Sequence, residues 1–426
     1  VCKQDHNVPL FVFGDSIVDI GNNNYINTIP IARSNYPPYG LTFFKCPSGR
    51  WSDGRVVPDF FAQYANLQLL LPYLYPGNKH YINGINFASG GAGALDEINR
   101  GLFSKLFVTK STSLTKQMLS NIISFTKLDY DHERDFTIRM SVLEFAPSIS
   151  SKIFTHVLLN CWEVISLKTQ ARSFKKVEKI LRKQIGKTQA KALLSRAVYL
   201  ISIGTNDYRT FASNSKLFDS YSFEEYVDLV IGNLTSVIKE IYKNGGRKFV
   251  VMNLWSFNHV PAVLEAVASQ GKDAQLEQLN QLVEMHNKQL YKAVQKLTTE
   301  LQGFRYSYVD SYKVFEEITN NPAKHGLKEV KNACCGSGVY RGIQSCGGKG
   351  NVKEYELCGN PKEHLFFDSN HGSDKAYQIL AEMAWNGDLN ASTPVNSLSH
   401  SRIIYYQLVK MIAMIMLKQG THRPMI

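Results

Sequence analysis

The chain has 426 residues, of which 44% are hydrophobic and 20% are charged, a composition typical of a soluble globular protein with a sizeable core. This length accommodates one large domain or two ordinary ones. The formal net charge of +12 favours peripheral contact with anionic surfaces, such as acidic polysaccharide or phospholipid headgroups. Because the basic residues are dispersed and form no zinc-finger spacing or recognition module, the sequence argues against a nucleic-acid-binding protein.

Five short apolar runs rich in Val, Ile, Phe and Tyr predict buried strands, and helical patterns lie between them. Near-continuous apolar runs are typical of parallel strands that are covered on both faces. The predicted strands span residues 10–13, 84–88, 198–203, 248–254 and 306–309, and the predicted helices span 56–65, 174–196, 223–243, 273–301 and 374–385. Strands that alternate with helices predict an α/β fold with a doubly wound sheet. In such a sheet, ligands bind beyond the carboxyl ends of the strands.

Two stretches lack this alternation. Residues 103–163 form an atypical insertion, which we expect to be poorly ordered, and residues 396–426 form an atypical tail. One domain is therefore expected over residues 8–395. The insertion is either a genuine surface insertion, which folds tolerate well, or translated non-coding sequence at a misassigned splice boundary. The apolar run at 403–417 is too short and too interrupted for a transmembrane helix, so we expect a loosely docked or disordered tail, with a membrane-surface segment as the alternative.

Four of the seven cysteines lie in one glycine-rich loop. Adjacent cysteines are poorly placed to fill one tetrahedral zinc site, so disulfide bonds in an oxidising compartment explain the pattern better. The pairing of these cysteines stays open: Cys334, Cys335, Cys346 and Cys358. Glycosylation sequons at Asn233 and Asn390 agree with secretion. The first residue is valine and no signal-peptide pattern is present, so we expect a mature form or fragment of a secreted, extracellular protein.

A serine near the start of the chain and a histidine near its end are the candidate reacting groups. Ser16 follows the first predicted strand in a tight, glycine-started turn, where its hydroxyl is placed to act as a nucleophile. Far downstream, Asp368 precedes His371 by three residues. A histidine can act as general base when an acceptor holds its other ring nitrogen, and Asp368 can reach back to do so. Most serines are merely solvated hydroxyls, so Ser16 gains weight only from these partners.

Acyl transfer also needs donors for the oxyanion of the tetrahedral intermediate. The backbone N–H of Ser16 is one candidate. Gly90 lies in a small-residue turn after the second predicted strand, where a backbone N–H can approach a substrate oxygen without a side chain intervening. Asn206 follows the third predicted strand, and its side-chain amide can donate to the same oxyanion. Taken singly, Gly90 and Asn206 are more simply explained as turn or cap residues.

Four blocks thus occur in order along the chain: Gly14-Asp15-Ser16, Ser89-Gly90, Gly204-Thr205-Asn206-Asp207 and Asp368-Ser369-Asn370-His371. Together they resemble the blocks of the GDSL, or SGNH, hydrolases. The residues around them are similar to those of the plant GDSL esterase/lipases, and within these to the secreted lipases associated with pathogen defence. The resemblance covers nearly everything outside the insertion and the tail.

The resemblance implies a flavodoxin-like, three-layer α/β/α sandwich with a parallel sheet of about five strands. It implies Ser16, Asp368 and His371 as the catalytic triad, and Ser16, Gly90 and Asn206 as the oxyanion hole. It further implies an open site that needs no metal or organic cofactor. The expected function is a serine esterase or lipase, which hydrolyses carboxylic esters of acyl lipids or other compounds through an acyl-enzyme on Ser16.

The chain departs from the family pattern near the expected site. Gly372 follows the histidine where family members generally carry proline, and we expect glycine to loosen this turn. The stretch 255–261 lacks the cysteine of the family, and its usual partner near Lys272 is also absent, so one local disulfide is expected to be missing. Gly372 and the insertion leave a weakly active or non-catalytic lipid- or polysaccharide-binding defence protein as one alternative. An acyltransferase that uses the same serine is the other.

Overall fold

The central sheet is built from the five predicted strands, all parallel. The computed structural model describes residues 8–99 and 163–387 and the backbone of 392–393. The strands are β1 (Leu10–Gly14), β2 (Gly84–Asn86), β3 (Val198–Ser202), β4 (Lys248–Met252), β5 (Arg305–Val309), β6 (Cys335–Gly336), β7 (Glu356–Leu357) and β8 (Ser392–Thr393). The main sheet has the order β2-β1-β3-β4-β5-β8, in which β8 alone is antiparallel, and β6 pairs with β7 in a separate ribbon. The prediction of an α/β fold with about five parallel strands is confirmed.

Helices connect these strands. They are α1 (Val57–Tyr64), α2 (Leu167–Ile185), α3 (Lys187–Arg196), α4 (Thr205–Ser213), α5 (Ser215–Ser220), α6 (Phe223–Lys243), α7 (Pro261–Gln270), α8 (Asp273–Glu300), α9 (Ser311–Asn320) and α10 (Asp374–Asn386). Short 3-10 turns span Asn22–Tyr25, Pro30–Ala32, Phe257–His259, Pro322–His325, Cys346–Gly348 and Pro361–Glu363. The single helix predicted over 174–196 is in fact two, because Gly186 interrupts it with a φ of 82°.

Helices cover both faces of the sheet. In β1, the rings of Phe11 and Phe13 lie 5.4 and 5.9 Å from the ring of Phe174 in α2. Since successive side chains of a strand point to opposite faces, Leu10 and Val12 lie on the other face, and they are buried as well. Helices α2, α6 and α8 pack in one group, and α1, α9 and α10 pack in a second. The result is the three-layer α/β/α sandwich that the family resemblance implies.

The strand order places a cleft beyond β1 and β3. With the order 2-1-3-4-5, the chain winds in opposite directions on either side of the β1–β3 pair, and ligand sites form at such a switch point. Gly14 ends β1 with a φ of 148°, and a Cβ there would lie 2.1 Å from the Ser202 carbonyl oxygen of β3. Only glycine fits this close approach, and the chain leaves β1 directly into Asp15 and Ser16.

Two disulfides hold the loop that carries β6 and β7. They join Cys334 to Cys358 and Cys335 to Cys346, which confirms the prediction of disulfides and resolves their pairing. The backbone N–H of Cys335 donates to the Phe367 carbonyl at 2.7 Å, next to Asp368. This loop therefore supports the turn that carries the predicted acid and base.

Other predictions fall outside the described residues. The insertion at 103–163, apart from Glu163, and the tail at 396–426 lie in the undescribed parts of the chain, so the expectations about them stay predictions. Among the residues that are described, no helix is both long and apolar enough to cross a membrane.

Candidate active site

Asp368 and His371 form a hydrogen-bonded pair. Nδ1 of the His371 ring lies 2.8 Å from Oδ1 and 2.9 Å from Oδ2 of Asp368. The backbone N–H groups of Asn370 and His371 both donate to Oδ1 of Asp368 at 2.8 Å, so the carboxylate also closes the turn that contains it. The three-residue spacing thus brings the predicted base and the carboxylate expected to orient it into contact by local geometry.

A tyrosine that the sequence analysis did not single out completes this pair. The Tyr39 hydroxyl donates to Oδ2 of Asp368 at 2.6 Å. Burial acts to raise the pKa of Asp368, but attraction to His371 and hydrogen bonds from His371 and Tyr39 outweigh burial, so the pKa lies below its usual value. Asp368 is therefore an ionised acceptor that orients the His371 ring and leaves Nε2 for chemistry.

Packing also fixes the position of His371. The Trp51 ring lies over the imidazole with a centroid distance of 4.6 Å, and His371 is only 7% exposed. On the far side of the turn, the Gly372 N–H donates to the Tyr377 hydroxyl at 3.1 Å, a bond that the proline of the family could not make. The turn at Gly372, which we expected to be loose, is thus tied to a buried tyrosine of α10.

Ser16 shares one cleft with His371, Gly90 and Asn206. The cleft has a volume of about 680 Å³, and Ser16 is 9% exposed on its wall. Within the described ranges, no hydrogen bond joins Ser16 Oγ to the His371 ring. Catalytic hydrogen bonds are often long without substrate and tighten in the reacting complex, so this geometry leaves the pairing of serine and histidine a prediction.

The predicted oxyanion donors differ in their availability. One amide hydrogen of Asn206 Nδ2 is donated to the Ala92 carbonyl at 2.9 Å, which orients the side chain and leaves a second hydrogen. In contrast, the Gly90 backbone N–H donates to Oδ2 of Asp19 at 2.9 Å. The Gly90 N–H can donate to an oxyanion only if it gives up its hydrogen bond to Asp19. Gly91, the next residue of the turn, also lines the cleft.

Three buried carboxyl groups hold the loops of the site. Burial raises the pKa of Asp15 and of Asp207 to about 7, and that of Asp19 to about 6, against hydrogen bonds that lower each of them. Asp207 accepts from the N–H groups of Ala94 and Leu95 at 2.9 and 3.0 Å. None of these carboxyls is predicted as a site residue from the sequence, although Asp15 and Asp207 each adjoin one that is.

The comparisons with known proteins agree with this geometry. The family described as GDSL-like Lipase/Acylhydrolase matches residues 10–384. The chain is 43% identical to GDSL esterase/lipase 1 of Arabidopsis thaliana over 392 residues, which cover 91% of this chain and 88% of the relative. It is 41% identical to GDSL esterase/lipase 2 of the same plant with the same coverage. It is 35% identical to a GDSL lipase of Tanacetum cinerariifolium over 387 residues, 91% of this chain and 86% of that protein. The chain belongs to the GDSL-like lipase/acylhydrolase family.

Proposed function

We propose that the protein hydrolyses carboxylic esters of acyl lipids or other small molecules through an acyl-enzyme on Ser16. As a member of its family, with relatives named esterase/lipase, it is a carboxylic ester hydrolase. The observation that supports the role of Ser16 is the Asp368–His371 pair, whose ring lines the same cleft as the serine. The acyltransferase and the non-catalytic binding protein are not favoured by these relatives.

In the first half of the reaction, Ser16 Oγ attacks the ester carbonyl carbon while Nε2 of His371 takes the hydroxyl proton. The carbonyl oxygen becomes an oxyanion, and the ionised Asp368 stabilises the imidazolium. His371 then gives its proton to the departing alcohol as the carbon–oxygen bond breaks. The product of this half is an acyl-enzyme on Ser16 and a free alcohol.

In the second half, water replaces the alcohol. His371 takes a proton from the water that attacks the acyl carbon, and returns this proton to Ser16 Oγ when the acid leaves. The proposed oxyanion donors are the Ser16 backbone N–H, the second amide hydrogen of Asn206 and a backbone N–H of the turn at Gly90. Each such donor contributes roughly a hundredfold or more to the rate.

The proposal is tested by measuring the turnover of p-nitrophenyl butyrate by two serine-to-alanine variants. Ser16→Ala should lower kcat by roughly 10⁴-fold, since the nucleophile is lost. Ser195→Ala is the matched control, because the Ser195 hydroxyl on α3 donates to the Ala192 carbonyl of its own helix, away from the cleft. A folded Ser16→Ala protein with unchanged turnover would show that another residue is the nucleophile.

We further propose that the protein acts in an extracellular, oxidising compartment and contacts anionic surfaces only peripherally. Disulfides persist where thiols are not kept reduced, and both disulfides lie in the loop that supports the Asp368 turn. Fractionation of tissue that expresses the tagged protein into wall fluid and cell lysate tests the location. Recovery in the lysate alone, with Cys334 and Cys358 open to alkylation, would contradict the proposal.

A further inference from the structure

The wall of the cleft carries several positive charges. Its cationic residues are Arg209, Lys216 and Lys272. Among the described residues on that wall, Asp15 is the one that bears a carboxyl, and it lies buried at the end of β1. The cleft therefore presents positive charge to an incoming substrate with little negative charge to offset it.

Arg209 is the cation most closely joined to the reacting groups. It lies on α4 three residues after Asn206, so the two side chains share one face of the helix. The guanidinium donates to the side-chain oxygen of Asn370, the residue before His371. Arg209 thus connects the proposed oxyanion donor with the turn of the base.

The bonding of this guanidinium is incomplete. Arg209 is half-buried, and burial lowers its pKa from the ordinary value. Within the described residues no carboxylate is in ion-pair contact with it, although the negative charge of Asp368 acts on it from farther away and partly offsets the effect of burial on its pKa. Its hydrogen-bond partner, Asn370, is a neutral amide. A guanidinium has five N–H donors, and charged groups with restricted access to water are normally paired. Arg209 therefore keeps N–H donors for a further partner that enters the cleft.

We propose that Arg209 binds an anionic group of the substrate, so that the preferred esters carry a carboxylate or a phosphate near the scissile bond. The fork of N–H donors matches both groups in geometry, and the hydrogen bonds are charge-assisted. The remainder of the substrate contacts the apolar part of the wall, which includes Ile17, Trp255 and Leu276. This inference rests on the proposed ester hydrolysis and adds its substrate class.

Pairs of esters that differ in charge test the inference. The carboxylate pair is p-nitrophenyl hemisuccinate against p-nitrophenyl pentanoate, and the phosphate pair is oleoyl lysophosphatidic acid against monooleoylglycerol. In at least one pair, the unmodified protein should have the higher kcat/KM for the anionic ester. Arg209→Gln should lower the anionic-to-neutral ratio of kcat/KM by roughly tenfold or more, because a charge-assisted bond is lost. The pair that responds identifies the anion.

Two further variants separate charge from structure. Arg209→Lys keeps the charge but loses the fork of donors, so it should retain only part of the preference for the anionic ester, and more of it than Arg209→Gln does. Arg172→Gln removes an equal charge from an exposed site on α2 and should leave the ratio unchanged. Three results would overturn the inference. The first is an equal fall in kcat/KM for the anionic and the neutral ester in Arg209→Gln, and the second is an equal lowering of the anionic-to-neutral ratio by Arg172→Gln. The third is an unmodified protein that does not prefer the anionic ester in either pair.

Binding to the Ser16→Ala protein keeps this test independent of catalysis. Calorimetric titration with monoethyl succinate should give tighter binding than with diethyl succinate, and Arg209→Gln should abolish the difference. If Ser16→Ala still hydrolyses esters, the proposed mechanism fails while the binding difference still decides the role of Arg209. Equal binding of the two succinates would overturn the carboxylate form of the inference.

Discussion

Tyr39 holds Asp368 through a hydrogen bond of 2.6 Å, from a position 329 residues away in the chain. The carboxylate that orients His371 is therefore itself oriented by a buried hydroxyl. The Tyr39 ring also packs edge-on against Phe367 and Trp51, so it is a fixed part of the scaffold. We therefore expect Tyr39 to act through Asp368, as a positioning residue.

Tyr39→Phe removes this bond and the contact of the hydroxyl with that of Tyr36, while the ring packing can stay. We expect kcat to fall roughly tenfold with little change in KM, since hydrogen bonds to charged groups contribute about 1.5–3 kcal/mol. Steady-state kinetics with p-nitrophenyl butyrate measure the changes in kcat and KM separately. Tyr242→Phe is the control, because its hydroxyl makes a similar bond of 2.7 Å to the Gln302 carbonyl on the surface. A change in KM alone would contradict the positioning role.

Gly90 and Trp51 are in close contact beside His371, the proposed base. A Cβ at residue 90 would lie 2.5 Å from Nε1 of Trp51, whose ring packs on His371. Gly90→Ala should therefore displace the indole, lower kcat and destabilise the fold by about 1–3 kcal/mol. Thermal unfolding and kinetics measure both effects.

The control for Gly90→Ala is a glycine with free space. Gly232 lies in α6, where an added Cβ would meet no atom within 4 Å, so Gly232→Ala should be neutral or stabilise by about 0.5–1 kcal/mol. In the double variant Gly90→Ala/Trp51→Phe, the smaller ring should recover part of the lost stability. If Gly90→Ala has the unfolding temperature and the kcat of the unmodified protein, Gly90 and Trp51 do not pack as closely as described.

The buried carboxyl of Asp15 predicts a pH dependence of stability. Its pKa is raised to about 7 from 3.8, because burial disfavours the charged form. The folded state thus binds this proton more tightly than the unfolded state does. The resulting stabilisation is fully present below about pH 4 and is lost as the pH rises through about 7.

Asp15→Asn removes that proton equilibrium while the amide oxygen can still accept from the Ile17 N–H, a bond of 3.2 Å. Urea unfolding between about pH 4 and pH 8 should show a smaller loss of stability with rising pH in the variant. Asp219→Asn, on the surface helix α5, should leave the slope unchanged. An identical slope in Asp15→Asn would mean that folding does not raise the pKa of this carboxyl.

Elements with strong local patterns were predictable from the sequence. The helix α6 has its predicted ends because Ser222 and Glu225 form a capping box and apolar residues recur along one face. The predicted helix over 174–196 was wrong in its continuity, since a single glycine within a helical pattern is tolerated and does not by itself indicate a break. Helix α4 was not predicted, because its few apolar residues do not show a helical period. Gly204 and Asn206 therefore indicated a turn after β3 and not the start of a helix.

The same contrast holds in the site. Asp368 and His371 are three residues apart, so their hydrogen bond follows from local geometry. Tyr39 and Trp51 reach this pair only through tertiary packing, which a single sequence does not reveal. The N–H of Gly90 is likewise donated to Asp19, 71 residues earlier in the chain. The sequence therefore predicts the reacting groups, and the structure adds the residues that hold them.

Labelling with a fluorophosphonate, followed by mass mapping of the modified peptide, identifies the nucleophile itself. This reagent reacts with a serine that a neighbouring base activates. We expect one adduct, on Ser16, which is lost in His371→Ala and kept in Ser195→Ala. A folded protein that hydrolyses p-nitrophenyl butyrate but carries the adduct on another serine, or none at all, would show that Ser16 is not the activated nucleophile.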